Sequence, residues 1–255
     1  MDIAVILHST FTRFEKLKVA VDSLIENERF KIYIAYTGEL DYKKLKYFES
    51  YGERVDFNYC GWDTSPAVTR NFLIDKTEEN YIFKFDDDFI YSQETCNVDD
   101  IIKLLGGKPK IGLVGISVIG NKRKSPFIYN VSITDEMKLE PIKNPEIITD
   151  EKIKYYYCDI TPDCWIAKKE IFPQCNYDER YHVSEGLHPD FFLQIKQSKW
   201  KVIYTESCSI FHSKWEKGAK REKDVSNFYY RKRFRNLKNQ DKFLSKWKVK
   251  RTNII

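Results

Sequence analysis

Three consecutive carboxylates, Asp86, Asp87 and Asp88, directly follow a run of aromatic and β-branched residues that begins at Tyr81. The run is typical of a buried strand. Adjacent carboxylates repel one another and lose water on burial, so we expect a cation beside them. Hard cations such as Mg²⁺ and Mn²⁺ select oxygen ligands and often share them with substrate phosphates. The alternatives are a solvated acidic loop or an acidic cap on the next helix.

A second group of residues that could do chemistry surrounds Asp190. Pro189 suits a first helical turn, which would place Asp190 at the positive end of that helix. We therefore expect an ionised carboxylate that is free to accept a proton, with helix capping as the alternative. His188 and His212, each taken alone, are more typical of structural hydrogen-bonding residues than of ligands.

Alternating strand and helix patterns up to residue 116 must position these groups. Buried strands are predicted at 3–7, 31–36, 55–59, 81–86 and 111–116, and helices at 14–25, 42–48, 66–79 and 98–105, the last stopped by Gly106 and Gly107. This order predicts βαβ units, a mostly parallel sheet and an α/β fold. Ligands of open α/β sheets bind beyond the carboxyl ends of strands. The Asp triplet and residues 8–10 would therefore share one crevice.

The second half of the chain follows a different pattern. A hairpin is predicted over 117–134 with its turn near Gly120 and Asn121, a loop over 142–150, and an aromatic strand over 153–158. Next come a helix from Asp163 or Ala167 to Phe172, a helix over 189–198 with Phe192 and Ile195 on its buried side, and a strand over 201–205. We expect one domain, 1–215, and a basic helical extension, 216–255.

Composition and charge limit the class of protein. The net charge is +5, and no apolar run approaches the ~20 residues that span a bilayer. Six scattered cysteines without a Cys-x-x-Cys pair, and no export signal, predict free thiols in a reducing cytosol. Basic and aromatic residues are concentrated after Lys214, as in 228–235. Such a segment is typical of one that binds an anionic membrane surface or packs on the domain. Binding to nucleic acid, argued from charge alone, is the weaker alternative.

The order of several motifs resembles inverting GT-A glycosyltransferases of the family 2 type. Residues 70–73 followed by 81–91 resemble their donor site, most of all in the ganglioside β-1,4-N-acetylgalactosaminyltransferase group, which reads roughly Gly-x-x-Arg-Asn-Leu-Ala and then Val-Asp-Asp-Asp-Phe. Further resemblances cover about residues 1–215 and lie at 166–169, 188–193, 201–205 and 211–212. The resemblance implies a GT-A fold: a single, mostly parallel, mixed central sheet flanked by helices.

The resemblance also implies donor-binding residues. The nucleotide-sugar-binding residues would be Thr10, Arg13, Arg70, Asp86 and Asp87. Among these, Asp86 would contact ribose or sugar and Arg70 the phosphates or base. The expected donor is a UDP-sugar, with UDP-GalNAc as one candidate.

The remaining implied roles concern metal and catalysis. Asp88 and His212 would hold Mn²⁺ or Mg²⁺ on the donor diphosphate, where the metal stabilises the leaving group as a Lewis acid. Asp190 would be the base that deprotonates the acceptor hydroxyl. The reserve candidates for the base or for an acceptor contact are Glu185, His188 and Trp165.

The sequence also departs from that family's pattern. After the second strand, Tyr36-Thr37-Gly38-Glu39 stands where many relatives carry the acidic residue that recognises the nucleotide, and Pro189 replaces an acidic residue. Because no membrane anchor precedes the motifs, we expect a cytoplasmic enzyme of bacterial or viral origin. It would act on a glycan or lipid-linked glycan, peripherally at the inner membrane face. The rival functions are a retaining transferase, a nucleotidyltransferase and a non-enzymatic basic adaptor with a structural cation.

Overall fold

The computed structural model describes residues 2–10, 13–38, 42–62, 64–120, 123–124, 128–181, 186–213 and 239–252. Within these ranges no helix has both the length and the apolar character needed to cross a bilayer. The described helices are α1 (Phe14–Ile25), α2 (Tyr42–Glu49), α3 (Pro66–Lys76), α4 (Val98–Gly107), α5 (Leu187–Gln197) and α6 (Asn239–Trp247).

Two sheets organise the described strands. The strands are β1 (Ile3–Thr10), β2 (Phe30–Thr37), β3 (Val55–Tyr59), β4 (Tyr81–Asp86), β5 (Phe89–Ile90), β6 (Ile111–Gly120), β7 (Arg123–Lys124), β8 (Tyr129–Ile133), β9 (Glu136–Pro141), β10 (Ile148–Asp150), β11 (Ile153–Cys158), β12 (Trp165–Lys168), β13 (Lys201–His212) and β14 (Arg251–Thr252). The large sheet has the order β10-β11-β13-β6-β12-β4-β1-β2-β3, and β8, β9 and β14 form the small one.

The large sheet is mixed, which confirms the predicted α/β class. Strands β4, β1, β2 and β3 are parallel neighbours, whereas β12 lies antiparallel between β4 and β6. One face packs against α1, α2 and α4, and the other against α3, α5 and α6. Because alternate side chains of a strand point to opposite faces, Phe83 and Phe85 enter the first core and Ile82 the second. Side chains at the end of β4 therefore divide between the two layers.

Local sequence signals account for the helix starts. The Ser65 side chain accepts a hydrogen bond from the Val68 backbone N–H at 3.3 Å, and Pro66 opens α3, as predicted. Asn97 caps α4 in the same way through the Asp99 N–H, at 3.1 Å. The predicted stop before Gly106 is wrong, because α4 continues through Gly107.

The predicted helix from Asp163 or Ala167 to Phe172 is also wrong. Trp165–Lys168 is the strand β12, with all four residues buried, and a single 3₁₀ turn, Lys169–Ile171, follows it. A short apolar run of this length fits either a strand or a buried helix, so periodicity alone could not decide. Pairing with β4 and β6 on both sides decides it here. Asp163, just before β12, consequently lies beside the carboxyl end of β4.

The stretch predicted as one hairpin over 117–134 is divided between the two sheets. Strand β6 continues to Gly120 and pairs antiparallel with β7 in the large sheet, while β8 pairs with β9 in the small sheet. The proposed turn residue Asn121 lies outside the described residues. The predicted loop over 142–150 ends in the short edge strand β10.

The last described segment packs on the rest of the chain. Phe243 of α6 and Val249 are buried in the second core, and β14 pairs in parallel with β9. For residues 239–252 this matches the packing alternative of the basic extension, although the segment ends in a strand and is not helical throughout. The predicted boundary at residue 215 and the stretch up to 238 lie outside the described residues.

Candidate active site

The Asp triplet lies at the carboxyl end of β4, and its three side chains make different contacts. His8 of β1 is the register partner of Asp86, so residues 8–10 and the triplet share one edge of the sheet, as predicted. Thr10 is the last residue of β1 at that edge. The expected neighbouring cations are side chains of this chain: Lys84 beside Asp86, and Arg13 beside Asp87 and Asp88.

Asp87 is turned inward. Its carboxylate accepts a hydrogen bond from Ser9 Oγ at 2.6 Å and lies 2.8 Å from Arg13 Nη1, and the side chain is 1% exposed. Burial raises the pKa of Asp87 to about 7, against the lowering effect of Arg13 and Ser9. Asp87 is thus enclosed beside the start of α1, and the donor contact predicted for it is not supported by its position.

Asp88 meets His212 because β5 pairs with the end of β13. His212 is the register partner of Phe89, and the Ser213 N–H donates to the Asp88 carbonyl at 2.9 Å. His212 Nε2 lies 3.3 Å from Asp88 Oδ2, an oxygen that also accepts a hydrogen bond from Arg13. Burial opposes ionisation, but His212 and Arg13 hold the pKa of Asp88 below its usual value. The structure therefore brings together both predicted metal ligands and Arg13.

A divalent cation would fit at this point only if water or a bound substrate shared its coordination with the protein. Within the described ranges, no group of three or more His, Cys, Asp or Glu side chains is arranged to hold a metal ion. Asp88 and His212 offer one carboxylate and one imidazole nitrogen, so other positions would be filled by water or by ligand oxygens. Mg²⁺ sites with one or two carboxylates plus substrate phosphates have this character.

Asp86 belongs to a second network, which is built around the buried side chains of Lys84 and Arg70. Lys84 Nζ lies 2.6 Å from Asp86 Oδ1 and 2.7 Å from Asp163 Oδ2. The same Asp163 carboxylate contacts Arg70 Nη2 at 3.0 Å and His188 Nδ1 at 3.2 Å. Burial alone would raise the pKa of Asp163, but Arg70, Lys84 and His188 hold it well below its usual range.

Arg70 is buried within this network. Its guanidinium pairs with Asp163 and lies over the Tyr177 ring, 5.1 Å from the ring centroid. His188 Nε2 is 2.8 Å from the Thr161 carbonyl oxygen, which can only accept, so this nitrogen donates. Arg70 and His188 therefore both hold neighbouring protein groups in this structure.

Asp190 is not the free carboxylate that its helical position suggested. It is 0% exposed, and its oxygens accept hydrogen bonds from Trp247 Nε1 at 2.9 Å, Lys246 Nζ at 2.8 Å and Gln194 Nε2 at 2.9 Å. Burial raises the pKa of Asp190, against the lowering effects of Lys246 and Trp247. The expectation of an accessible base at the helix start is wrong for this arrangement, because α6 covers the carboxylate.

The reserve candidates lie in different surroundings. Trp165 is fully buried and stacks on Phe191 with ring centroids 5.4 Å apart, so no acceptor can reach it in this structure. His188 lies two residues before Asp190, about 200° away around α5, and faces Asp163 instead. Glu185 lies outside the described residues.

Sequence reasoning missed Lys84, Asp163, Lys246 and Trp247. Lys84 carried a signal, because residues two apart on a strand share a face and Lys84 is two before Asp86. Asp163 is one of the two alternative starts of a predicted helix, in place of which the structure has the strand β12. Lys246 and Trp247 belong to the basic extension in the sequence, and nothing in their spacing links them to Asp190.

Comparison with known proteins relates the chain to solved structures through its fold. No family model and no curated protein sequence matches the chain. The structure of S. aureus TarS 1–349 in complex with UDP-GlcNAc gives a TM-score of 0.59 at 12% identity, covering 85% of this chain and 59% of that chain. The structure of GalNAc-T7 with UDP, GalNAc and Mn²⁺ gives a TM-score of 0.65 at 12% identity, covering 83% and 44%.

The described chain thus spans about 60% of TarS 1–349 and less of GalNAc-T7. At these identities the likeness concerns the fold, and nothing in it singles out the ganglioside N-acetylgalactosaminyltransferase group. The mixed central sheet, its flanking helices and the carboxylates at the end of β4 agree with the expected architecture. The chain has an α/β fold of the GT-A-like type.

Proposed function

We propose that this chain is a glycosyltransferase that moves a sugar from a nucleotide-sugar donor, with a UDP-sugar favoured. The observation that carries the proposal is the pairing of Asp88, which follows β4, with His212 at the end of β13, where His212 Nε2 lies 3.3 Å from Asp88 Oδ2. Solved structures of the same fold contain UDP-GlcNAc in one case and UDP, GalNAc and Mn²⁺ in another. The acceptor class that we propose is a glycan or a lipid-linked glycan.

In donor binding, Asp88 and Asp86 of the triplet would have different roles. Asp88 and His212 would hold Mn²⁺ or Mg²⁺, which when bound neutralises charge on the donor diphosphate. Arg13, released from Asp88, would be near enough to contact the same diphosphate. Asp86 would face the ribose or the sugar, and Thr10 lies at the neighbouring strand end.

The transfer that we propose is inverting, with Asp190 as the base. The acceptor oxygen attacks the anomeric carbon, the bond from that carbon to the diphosphate oxygen breaks, and the nucleoside diphosphate leaves. The hydroxyl proton passes to Asp190, for which Trp247 and Lys246 must withdraw from the carboxylate. A retaining transfer is the second candidate, and the enclosure of Asp190 favours it because that stereochemistry needs no base at this position. The anomeric configuration of the product decides between the two.

A thermal-shift experiment with UDP, UDP-GlcNAc and UDP-GalNAc, each with Mn²⁺, tests the proposal. At a hundredfold excess over Kd a ligand stabilises by about 2.7 kcal/mol, which shifts the melting temperature measurably. Asp88→Asn should lose the Mn²⁺-dependent part of this shift. The matched control is Asp135→Asn, which removes an exposed carboxylate paired with Lys250. An equal Mn²⁺-dependent shift in Asp88→Asn and the native protein would contradict the metal assignment.

For residues 216–255 we propose an anionic membrane surface as partner of the basic and aromatic segment, supported by composition alone. Binding to vesicles containing phosphatidylserine should then weaken steeply with salt, because surface charges are screened within about 10 Å at 0.1 M. Absence of vesicle binding at low salt would leave packing on the domain as the role of this segment.

A further inference from the structure

Lys84 is a charged residue in the interior of the large sheet. Its side chain is 2% exposed, and its ammonium group donates to Asp86 Oδ1 at 2.6 Å and to the Asp163 backbone carbonyl. It also lies 2.7 Å from the Asp163 carboxylate. A lysine is seldom buried unless it is paired, since removing its charge from water costs several kcal/mol. Two carboxylates share this ammonium group.

Asp163 is where the contacts from three elements meet. Arg70 comes from α3, Lys84 from β4 and His188 from α5, and all three reach its carboxylate within 3.2 Å. Arg70 and Lys84 carry two positive charges, and Asp163 and Asp86 carry two negative charges. Removal of the Asp163 charge would leave both cations with Asp86 as their nearest anionic partner.

The position of Asp86 depends on this balance. Its side chain is 35% exposed, and Oδ1 is held by Lys84. Among the described residues no hydrogen bond reaches its other oxygen, Oδ2, which leaves that atom able to accept one from a ligand. The Lys84 ammonium divides its contacts between Asp86 Oδ1 at 2.6 Å and Asp163 Oδ2 at 2.7 Å, and it engages one Asp86 oxygen and not both.

We propose that Asp163 is a positioning residue for the donor. Acting through Lys84, it holds Asp86 by Oδ1 and keeps Oδ2 available to receive a hydroxyl group of the donor's ribose or sugar. This inference rests on the proposed function. It assigns Asp163 no direct contact with the donor.

The test is a double-mutant cycle on donor affinity. Kd values are measured by calorimetry with Mn²⁺ for UDP, UDP-GlcNAc and UDP-GalNAc, on the native protein, Asp163→Asn, Asp86→Asn and the double variant. We expect each single variant to weaken binding about tenfold, and the double variant to bind as Asp86→Asn does. A loss of affinity for all three probes, UDP included, assigns the ribose as the contact. A loss confined to the two UDP-sugars assigns the sugar.

Two further variants keep the test decisive. Asp159→Asn, in the segment leading to β12, breaks the 2.6 Å pair with Lys196 away from this network and should leave Kd unchanged. Lys84→Met breaks the link between Asp163 and Asp86 at Lys84 and fills the buried volume of the lysine side chain. It replaces Asp163→Asn if that variant does not fold, and we expect the same loss of donor affinity. Losses that multiply in the double variant, or an unchanged Kd in Asp163→Asn, would overturn the inference and leave the proposed function intact. A native protein that binds none of the three probes would overturn both.

Discussion

Trp247 Nε1 donates a 2.9 Å hydrogen bond to Asp190 Oδ1, which joins the last described helix to the start of α5. Lys246 adds a second contact to the same carboxylate and reaches Asp178 at 2.9 Å. Because Asp190 is excluded from solvent, its charge depends on these donors. The C-terminal segment is therefore joined to the candidate base through polar contacts as well as through apolar packing.

We expect Trp247→Phe to destabilise the protein by about 1–3 kcal/mol, the usual cost of leaving a buried acceptor without its donor. For a chain of this size that corresponds to a fall in melting temperature of about 2–12 °C. Trp200→Phe is the matched control, since Trp200 Nε1 is buried with no hydrogen-bond partner in the described part of the chain. Equal changes in melting temperature for the two variants would show that the Asp190 contact contributes no stability.

Because of Asp87, the free energy of unfolding should decrease as the pH rises from 4 to 7. Its pKa is about 7 in the folded chain against an ordinary 3.8, so the folded state binds more protons in this window. Unfolding then becomes easier as the pH rises, and the effect levels off above pH 7. The shift corresponds to about 4 kcal/mol at most.

Asp87→Asn removes this dependence while keeping an acceptor for Ser9. The free energy of unfolding of the native protein, minus that of the variant, should decrease from pH 4 to pH 7 in urea titrations and then stay constant. A difference that is flat with pH, or that increases, would mean that Asp87 is already ionised at pH 4. Asp135→Asn controls for the loss of a surface carboxylate.

Local rules of the sequence predicted the parallel half of the fold well. Alternating buried runs and a Ser-Pro helix start identify β1 to β4 and α3, because each signal is contained in a few neighbouring residues. The strand β12 was beyond such rules, since its four residues become a strand by inserting between β4 and β6.

The candidate site likewise contains features that the sequence predicts and features that depend on long-range contacts. The Asp triplet could be singled out by residue type and order and His212 by the family resemblance alone, and the structure brings Asp88 and His212 together. The cover over Asp190 comes from residues 56 and 57 positions further along the chain. A long-range contact of this kind has no local pattern to reveal it.

The assignment of Asp190 as the base makes the sharpest prediction about activity. Asp190→Asn keeps the shape of the side chain and removes its basicity. We expect kcat to fall by about 10²–10⁴-fold, the usual contribution of a general base. The Kd of the donor should change little, because a base that faces the acceptor acts mainly in the transition state. Rates are compared well below the melting temperature, since Lys246 and Trp247 lose a charged partner in this variant.

Glu185→Gln is the comparison variant, because Glu185 is the reserve base candidate. If Asp190→Asn keeps nearly native kcat while Glu185→Gln loses it, the base is Glu185. If both variants keep kcat, an inverting mechanism with either carboxylate fails, and the product should then retain the anomeric configuration of the donor. If Asp190→Asn alone loses kcat at unchanged donor Kd, withdrawal of Trp247 from Asp190 becomes a required step of turnover, because the enclosed carboxylate cannot otherwise reach an acceptor hydroxyl.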